Sequence, residues 1–533
     1  MKTLRVRIKP YIQPFERKLA LAELRALVDA EPLPIDGAVQ QAVVFSVPQA
    51  IRPEALARQL AYWEMVEGER PYLTTQVLRE RTVNVVRNGV PLKEIQQLLF
   101  EEVAILPNRR CLRYGTHGLH EYRGKFFPQL VRSLLNVAKV PRKAVVADPM
   151  CGSGTTAVET ALAEHRALGL DMNPLSVLMA NTKCALLSVL PNTLTAEYEN
   201  IRKQLLRPST KRPSSLTYFS TLTQEDQTYL RGWFSEQVLF DLDQISTLIQ
   251  RVSSKPIRDF FRLALSNILR GVSWQKEDDL RVRKEVRLDA EIDPIREFLE
   301  EIGRSVRTVL AFLYENRELK VGTFDVQQGD ARTQANSWAD WTGKVDAIIT
   351  SPPYATALPY LDTDRLSLCY LGLLPRSAHR KADHSMIGNR EITERQRLDY
   401  WKQFQEKKAG LPDSVTRLIG TVDTLNSKID VGFRRRNLPS LLTKYFIDMK
   451  QVIQGMIAVL KPGAPAYVVI GNNHTVAGGQ RIEIETATLL VDIAASVGMI
   501  RENRIPMEML VSRDIFKRNA VASEEILCFR TPA

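Results

Sequence analysis

The chain has 533 residues, with 73 Lys plus Arg against 61 Asp plus Glu for a net charge of +12, and 44% of it is apolar. With only 25% charged residues this excludes a disordered chain, and no run of about 18 apolar residues is present to cross a membrane. The five cysteines (Cys111, Cys151, Cys184, Cys369, Cys528) form no CxxC pair, which argues against a disulfide scaffold or a zinc ribbon and points to a reducing cytoplasm. Basic residues interrupt the first stretch, Met1 to Tyr11, before any apolar run, so a secretory leader is not expected. The basic excess points to a polyanionic partner.

In chain order, residues 1–105 read as a small α/β accessory unit. Leu4–Ile8 alternates as a strand, Leu19, Leu21, Leu24 and Leu27 recur at helical spacing, and Gln41–Val47 is a second strand. A polar stretch, 64–80, leads to a helix near Leu92–Glu102. From about residue 106 the texture changes. Strands are expected at Ala144–Asp148, Arg166–Asp171, Thr323–Gln327, Val345–Thr350 and Ala466–Ile470, with a helix over Thr155–Ala163. Strands alternating with helices predict a parallel sheet with helices on both faces. Residues 106–184 and 321–375 are then the two halves of this core, and 445–533 its last strands. Two insertions interrupt it. Residues 185–320 are mainly helical, with apolar residues at helical spacing over 239–249, 257–270 and 295–313. Residues 376–444 are polar and basic and end near Arg434-Arg435-Arg436.

Three places carry chemistry. Asp148-Pro149-Met150-Cys151-Gly152-Ser153-Gly154-Thr155-Thr156 follows a buried strand and opens a helix. Its glycines allow a tight turn and close approach of a ligand to a helix N-terminus. No Gly-Lys-Ser/Thr follows, so it is not a P-loop, and the spacing is not that of a dinucleotide fingerprint. Asp171 ends the next strand. An acid there either accepts from ribose hydroxyls or serves the turn at Asn173-Pro174. Thr350-Ser351-Pro352-Pro353-Tyr354 follows another strand directly. Its prolines remove two donors and fix an extended path, leaving carbonyl acceptors. A hydroxyl, a fixed carbonyl and an aromatic face suit a planar base with an amino group; a rigid loop with a buried Tyr is the plainer reading.

Other features read as structural. His117 and His120 have no cysteine or carboxylate pattern to complete a metal site. Trp338 and Trp341 read as core, and the mixed-charge stretch from Trp274 through Lys276, Arg281 and Arg283 to Lys284 reads as a solvated helix face.

Together the three places resemble the amino-methylating class of S-adenosylmethionine-dependent DNA methyltransferases. Motif I of that class, DPFxGSGT, is matched by Asp148 to Thr155, with Met150 in place of Phe. The catalytic motif IV, Asp/Asn/Ser-Pro-Pro-Tyr/Phe, is matched by Ser351 to Tyr354. The motif numbered X is matched from His120 to Leu130, including Lys125 and Phe126. Gly329-Asp330 looks like motif III, and Gly471-Asn472-Asn473 like a later strand end. The matches cover roughly 110–184, 321–375 and 445–533.

The resemblance implies a Rossmann-like class I methyltransferase sheet carrying a helical insert and a small N-terminal α/β domain. It implies S-adenosylmethionine as cofactor and no metal. Asp148, Pro149, Cys151, Gly152, Ser153, Gly154 and Thr155 would hold its methionine part beside Lys125 and Phe126; within that loop Cys151 is a packing residue. Asp171, with Asn173 next to it, would accept from the ribose, and Asp330 would contact the adenine amino group. Ser351 and the Pro352 carbonyl would accept from the target amine, with Pro353 fixing the loop and Tyr354 stacking on the base. Double-stranded DNA is the implied partner, with Arg434, Arg435 and Arg436 as phosphate contacts and a cognate restriction or defence nuclease as companion. Serine at the first catalytic position favours cytosine N4 over adenine N6. An RNA guanine-N2 methyltransferase and an inactive nucleic-acid-binding relative are the further alternatives. The motif order, with an insertion on either side of motifs III and IV, leaves open which insertion reads DNA.

Overall fold

A computed structural model describes residues 3–35, 41–105, 111–122, 124, 127–207, 216–276, 283–286, 292–355, 360–428, 432–508 and 523–533. Strands β1 (Val145–Asp148), β2 (Arg166–Asp171), β3 (Phe324–Gln328), β4 (Ala347–Thr350) and β5 (Pro465–Gly471) run parallel to one another. With β6 (Ile500–Glu508) and β7 (Ser523–Arg530) they form one sheet in the order β3-β2-β1-β4-β5-β7-β6. β7 is antiparallel to both neighbours and pairs Pro465 with Arg530 and Gly471 with Glu524. Its first residues therefore lie at the edge where the parallel strands end. This is the mostly parallel sheet that the strand–helix alternation predicts, and the Rossmann-like sheet that the resemblance implies. Val345, expected within β4, instead makes a single parallel bridge to Leu460.

The helices that matter for the site are α1 (Pro128–Val137), α2 (Thr155–Leu162), α3 (Pro174–Ala185), α4 (Lys255–Leu269), α5 (Pro294–Glu315), α6 (Phe433–Val459) and α7 (Thr486–Ser496). Proline near the first position, where no N–H is needed, opens α1, α3 and α5. Asn173 and Asp293 cap α3 and α5 by accepting from the Leu175 and Arg296 amides.

Successive strand residues face opposite layers. Val146, Ile349 and Val469 pack with α1 and the N-terminal unit, whereas Ala147, Ile348 and Val468 pack with α6 and α7. The helical insertion has its own core, in which α4 and α5 meet Met179 of α3 and Tyr370. The expected boundary at residue 444 falls inside α6. The region before it holds helices Arg376–Ser385, Glu394–Gln405 and Asp413–Asn426.

The N-terminal unit is a five-stranded antiparallel sheet in the order Leu33–Pro34, Val44–Pro48, Thr3–Ile8, Trp63–Glu67, Pro71–Leu73, with helix Pro14–Val28. Residues 64–80 are not a polar connector: they hold most of two strands and open helix Thr75–Arg87, which Thr74 caps. The helix expected near Leu92–Glu102 is only Leu92–Ile95 and a tight turn at Phe100–Glu102. The chain breaks between them, where the Arg317 guanidinium takes the Gln96 carbonyl. The stretch around Trp274 is not a helix face either. Lys276 N–H donates to Arg283 O at 2.8 Å and Glu285 N–H to Trp274 O at 2.7 Å, around an antiparallel bridge between Gln275 and Lys284, with Lys284 over the Trp274 ring; residues 277–282, Arg281 among them, lie outside the described residues.

Candidate active site

β1 delivers Asp148 to the sheet edge, and the chain enters α2 through Gly152 (φ +48°) and Gly154 (φ +81°). A Cβ at Gly152 would lie 2.8 Å from the Tyr122 ring, and one at Gly154 2.6 Å from the Ala180 Cβ on α3. The wall of the site here is therefore bare backbone. Asp171 closes the loop: its Oδ2 accepts from Gly152 N–H and its Oδ1 from Asn173 N–H, both at 2.8 Å. Lys183, buried on α3, donates to the Ser153 carbonyl at 3.0 Å. Burial pushes the Asp171 carboxyl up to about 6 against those two N–H bonds. Burial likewise pushes Asp148 up to about 6, against hydrogen bonds from Thr350 and the Met150 amide. Cys151 is fully packed, and burial holds its thiol far above the ordinary range, so it is a neutral packing group.

These residues fit S-adenosylmethionine. Ser153 Oγ is buried without a hydrogen-bond partner among the described residues, and a helix start such as that of α2 leaves its first N–H groups without intrahelical acceptors. A carboxylate oxygen that accepts one N–H retains capacity for a hydroxyl, so Asp171 can still take a ribose. Lys125 and Phe126 lie outside the described residues.

β4 lies directly beside β1, so the catalytic loop opens next to the cofactor loop. Two hydroxyls join them. Thr350 Oγ1 donates to Asp148 Oδ1 at 2.6 Å, and Thr156 Oγ1 donates to the Ile349 carbonyl at 3.1 Å. Beyond Thr350 the loop is held from three sides. The Tyr445 hydroxyl on α6 donates to Pro353 O at 3.1 Å, Asn473 Nδ2 donates to Ala355 O at 2.7 Å, and the Tyr354 phenol donates to Glu524 Oε1 on β7. Among the described residues no protein donor takes the Ser351 hydroxyl or the Pro352 carbonyl.

Asp330 follows β3 but is engaged by its neighbour. Arg332 Nε donates to Oδ1 at 2.9 Å, and its Nη2 donates to Oδ2 at 2.6 Å. Arg332 also pairs with Asp448 of α6 at 3.0 Å, and Asp448 with Lys444 at 2.6 Å. Asn173 is spent as the α3 cap and donates to Asp364 Oδ2 at 2.9 Å. Arg435 and Arg436 are exposed in the first turn of α6; the side chain of Arg434 lies outside those described. His117 pairs with buried Glu159 at 2.8 Å and His120 with Ser266 at 2.9 Å, both as structural contacts. Trp338 is buried in the core. Sequence reasoning missed Thr350 as the link between loops, and Tyr445 and Glu524 as supports. The residue before Ser351 is the only one of these with a nearby sequence signal.

Residues 120–195 match the family model described as an RMKL-like methyltransferase domain. The chain is 24% identical over 373 residues to the Type II methyltransferase M.MvaI of Kocuria varians, covering 67% of this chain and 77% of that one. It is 22% identical over 434 residues to the Type II methyltransferase M.BsoBI of Geobacillus stearothermophilus, covering 73% and 81%. Among solved structures, TrmN from Thermus thermophilus superposes with a TM-score of 0.32 at 11% identity, covering 99% of each chain. Sheet, glycine loop and relatives agree on the class: the chain is a methyltransferase that uses S-adenosylmethionine. The resemblance stated from the sequence is supported by these relatives.

Proposed function

We propose that the chain methylates the exocyclic N4 amine of cytosine in duplex DNA, after the base has left the helix. The observation that carries this is the pair of acceptors, Ser351 Oγ and Pro352 O, unclaimed among the described residues, on a loop tied to the cofactor loop by the Thr350–Asp148 bond of 2.6 Å. An aromatic amine is a poor nucleophile because its lone pair is delocalised into the ring. Two acceptors on its N–H groups favour a pyramidal nitrogen and expose the lone pair. Bound S-adenosylmethionine supplies the methyl on a sulfonium. The chain's residues supply position: Asp148 to Thr155 and Asp171 hold the cofactor, Ser351 and Pro352 orient the amine, and the Tyr354 ring stacks on the base. A duplex base reaches such a pocket only by extrusion.

The deciding experiment is nucleoside analysis of DNA treated with the pure protein and methyl-labelled cofactor. N4-methylcytosine is expected. N6-methyladenine would overturn the base assignment, and label confined to transfer RNA would overturn DNA as substrate. The basic start of α6 is the candidate phosphate contact. Replacing Arg434, Arg435 and Arg436 together should weaken DNA binding for all sequences and flatten its salt dependence, with cofactor affinity unmoved. An unchanged slope would shift the assignment to the helical insertion.

A further inference from the structure

The Tyr354 hydroxyl is not needed for stacking, since a phenyl ring presents the same face. Yet it is directed at a carboxylate from the far end of the chain. Glu524 is the second residue of β7, opposite Gly471 of β5 and Met507 of β6. Because β7 is antiparallel, this residue falls at the edge where β4 ends, and its Oε1 accepts the Tyr354 phenol. The loop backbone on either side is already fixed, by Tyr445 on Pro353 O at 3.1 Å and Asn473 on Ala355 O at 2.7 Å. What those two bonds leave undetermined is the rotation of the Tyr354 side chain about its own bonds. The phenol–carboxylate bond restrains it at the ring's far end, beside the packing of the ring against the core.

We infer that Glu524 is a positioning residue for the methyl transfer: it holds the Tyr354 ring in the plane that receives the extruded base. This rests on the stacking role proposed for Tyr354. A charge-assisted hydrogen bond is the stronger kind and suits the restraint of a ring at the mouth of a site. Glu524 itself is largely covered, and burial raises its carboxyl above the ordinary range, against the bond from Tyr354. Either protonation state keeps an oxygen able to accept from the phenol, so the restraint survives changes of pH.

The test is a double-mutant cycle in the full-length protein, read as single-turnover methyl transfer to duplex DNA with saturating S-adenosylmethionine. Glu524→Ala and Tyr354→Phe each remove the same bond and should each slow transfer about three- to tenfold. The combined variant should be no slower than either alone. Glu524→Gln keeps an acceptor and should recover most of the rate. Cofactor affinity, measured by calorimetry, should not move in any of them. Additive losses, or full activity of Glu524→Ala, would overturn the inference. If Glu524→Ala folds poorly in thermal melts, Tyr354→Phe reports on the bond from its other end, and a full rate there would overturn it equally. Failure of the stacking role is seen separately, as Tyr354→Ala transferring at the wild-type rate.

Discussion

The cofactor loop and the catalytic loop sit side by side and are built in opposite ways. The residues that form the first, from Asp148 through Gly152 and Gly154 to Asp171 and Asn173, lie in one β-α-β unit and the turn after it. The second takes its supports from Tyr445, Asn473 and Glu524, all beyond the polar insertion. The first is secured by backbone conformation and a strand-end acid. The second is secured by side-chain hydrogen bonds that exist only once the sheet has closed. Damage to the first should therefore act on folding and cofactor affinity, and damage to the second on turnover.

The largest expected effect lies in the local loop. Gly154→Ala would put a Cβ 2.6 Å from Ala180 at φ +81°, a strained backbone and a clash together, and should cost roughly 3 kcal/mol of stability. Urea unfolding reads this directly; an unmoved midpoint would mean that the loop is not held by its backbone. Asp171→Ala should weaken S-adenosylmethionine binding by about 1.5–3 kcal/mol. Calorimetry on a folded variant with unchanged affinity would remove Asp171 from the site. In the assembled loop, Tyr354→Ala should lose about 1–3 kcal/mol in methyl transfer with cofactor binding intact. Tyr354→Phe keeps the ring and should lose less, only the about three- to tenfold that goes with the bond to Glu524, and equal rates for the two variants would make the ring a mere buttress. A mismatch at the target should partly rescue DNA binding, because unpairing then costs less.

The smallest effect is a pH dependence confined to the cofactor side. Asp148 and Asp171 are both pushed up to about 6 by burial, above the roughly 3.9 of an unfolded aspartate. Between those values the folded chain holds more protons than the unfolded one, so these groups lower stability as pH rises through that window. Cofactor binding runs the other way. Ribose hydroxyls donate best to the charged form, so affinity should rise as pH passes about 6. Asp171→Asn should flatten that rise; a profile that stays steep would move the titration to Asp148.

The parallel strands were legible because Val146, Ile348 and Val468 belong to short apolar runs buried on both faces. The cofactor loop was legible for the same reason it is robust: all its parts lie close in sequence. Helix Thr75–Arg87 was not, because its inward positions are polar. Glu80 meets Lys9 at 2.7 Å and Arg81 meets Glu315 at 3.0 Å, both pairs buried, so charge stands where periodicity would show apolar residues. Glu524 was illegible in principle. Nothing near it hints that an antiparallel seventh strand carries it to Tyr354.

The ionic chain Asp330–Arg332–Asp448–Lys444 alternates in sign and closes on neutrality, with Asp448 and Lys444 almost wholly covered. Removing one member strands a charge in poor solvent, which costs far more than deleting opposite charges as a pair. Single replacements at these positions should thus be poorly tolerated, while compensated pairs are mild. Arg332 and Asp448 stand 116 residues apart. Across diverging sequences the two should therefore change together, which would tie the strand-end acid after β3 to the helix that supports the Pro353 loop.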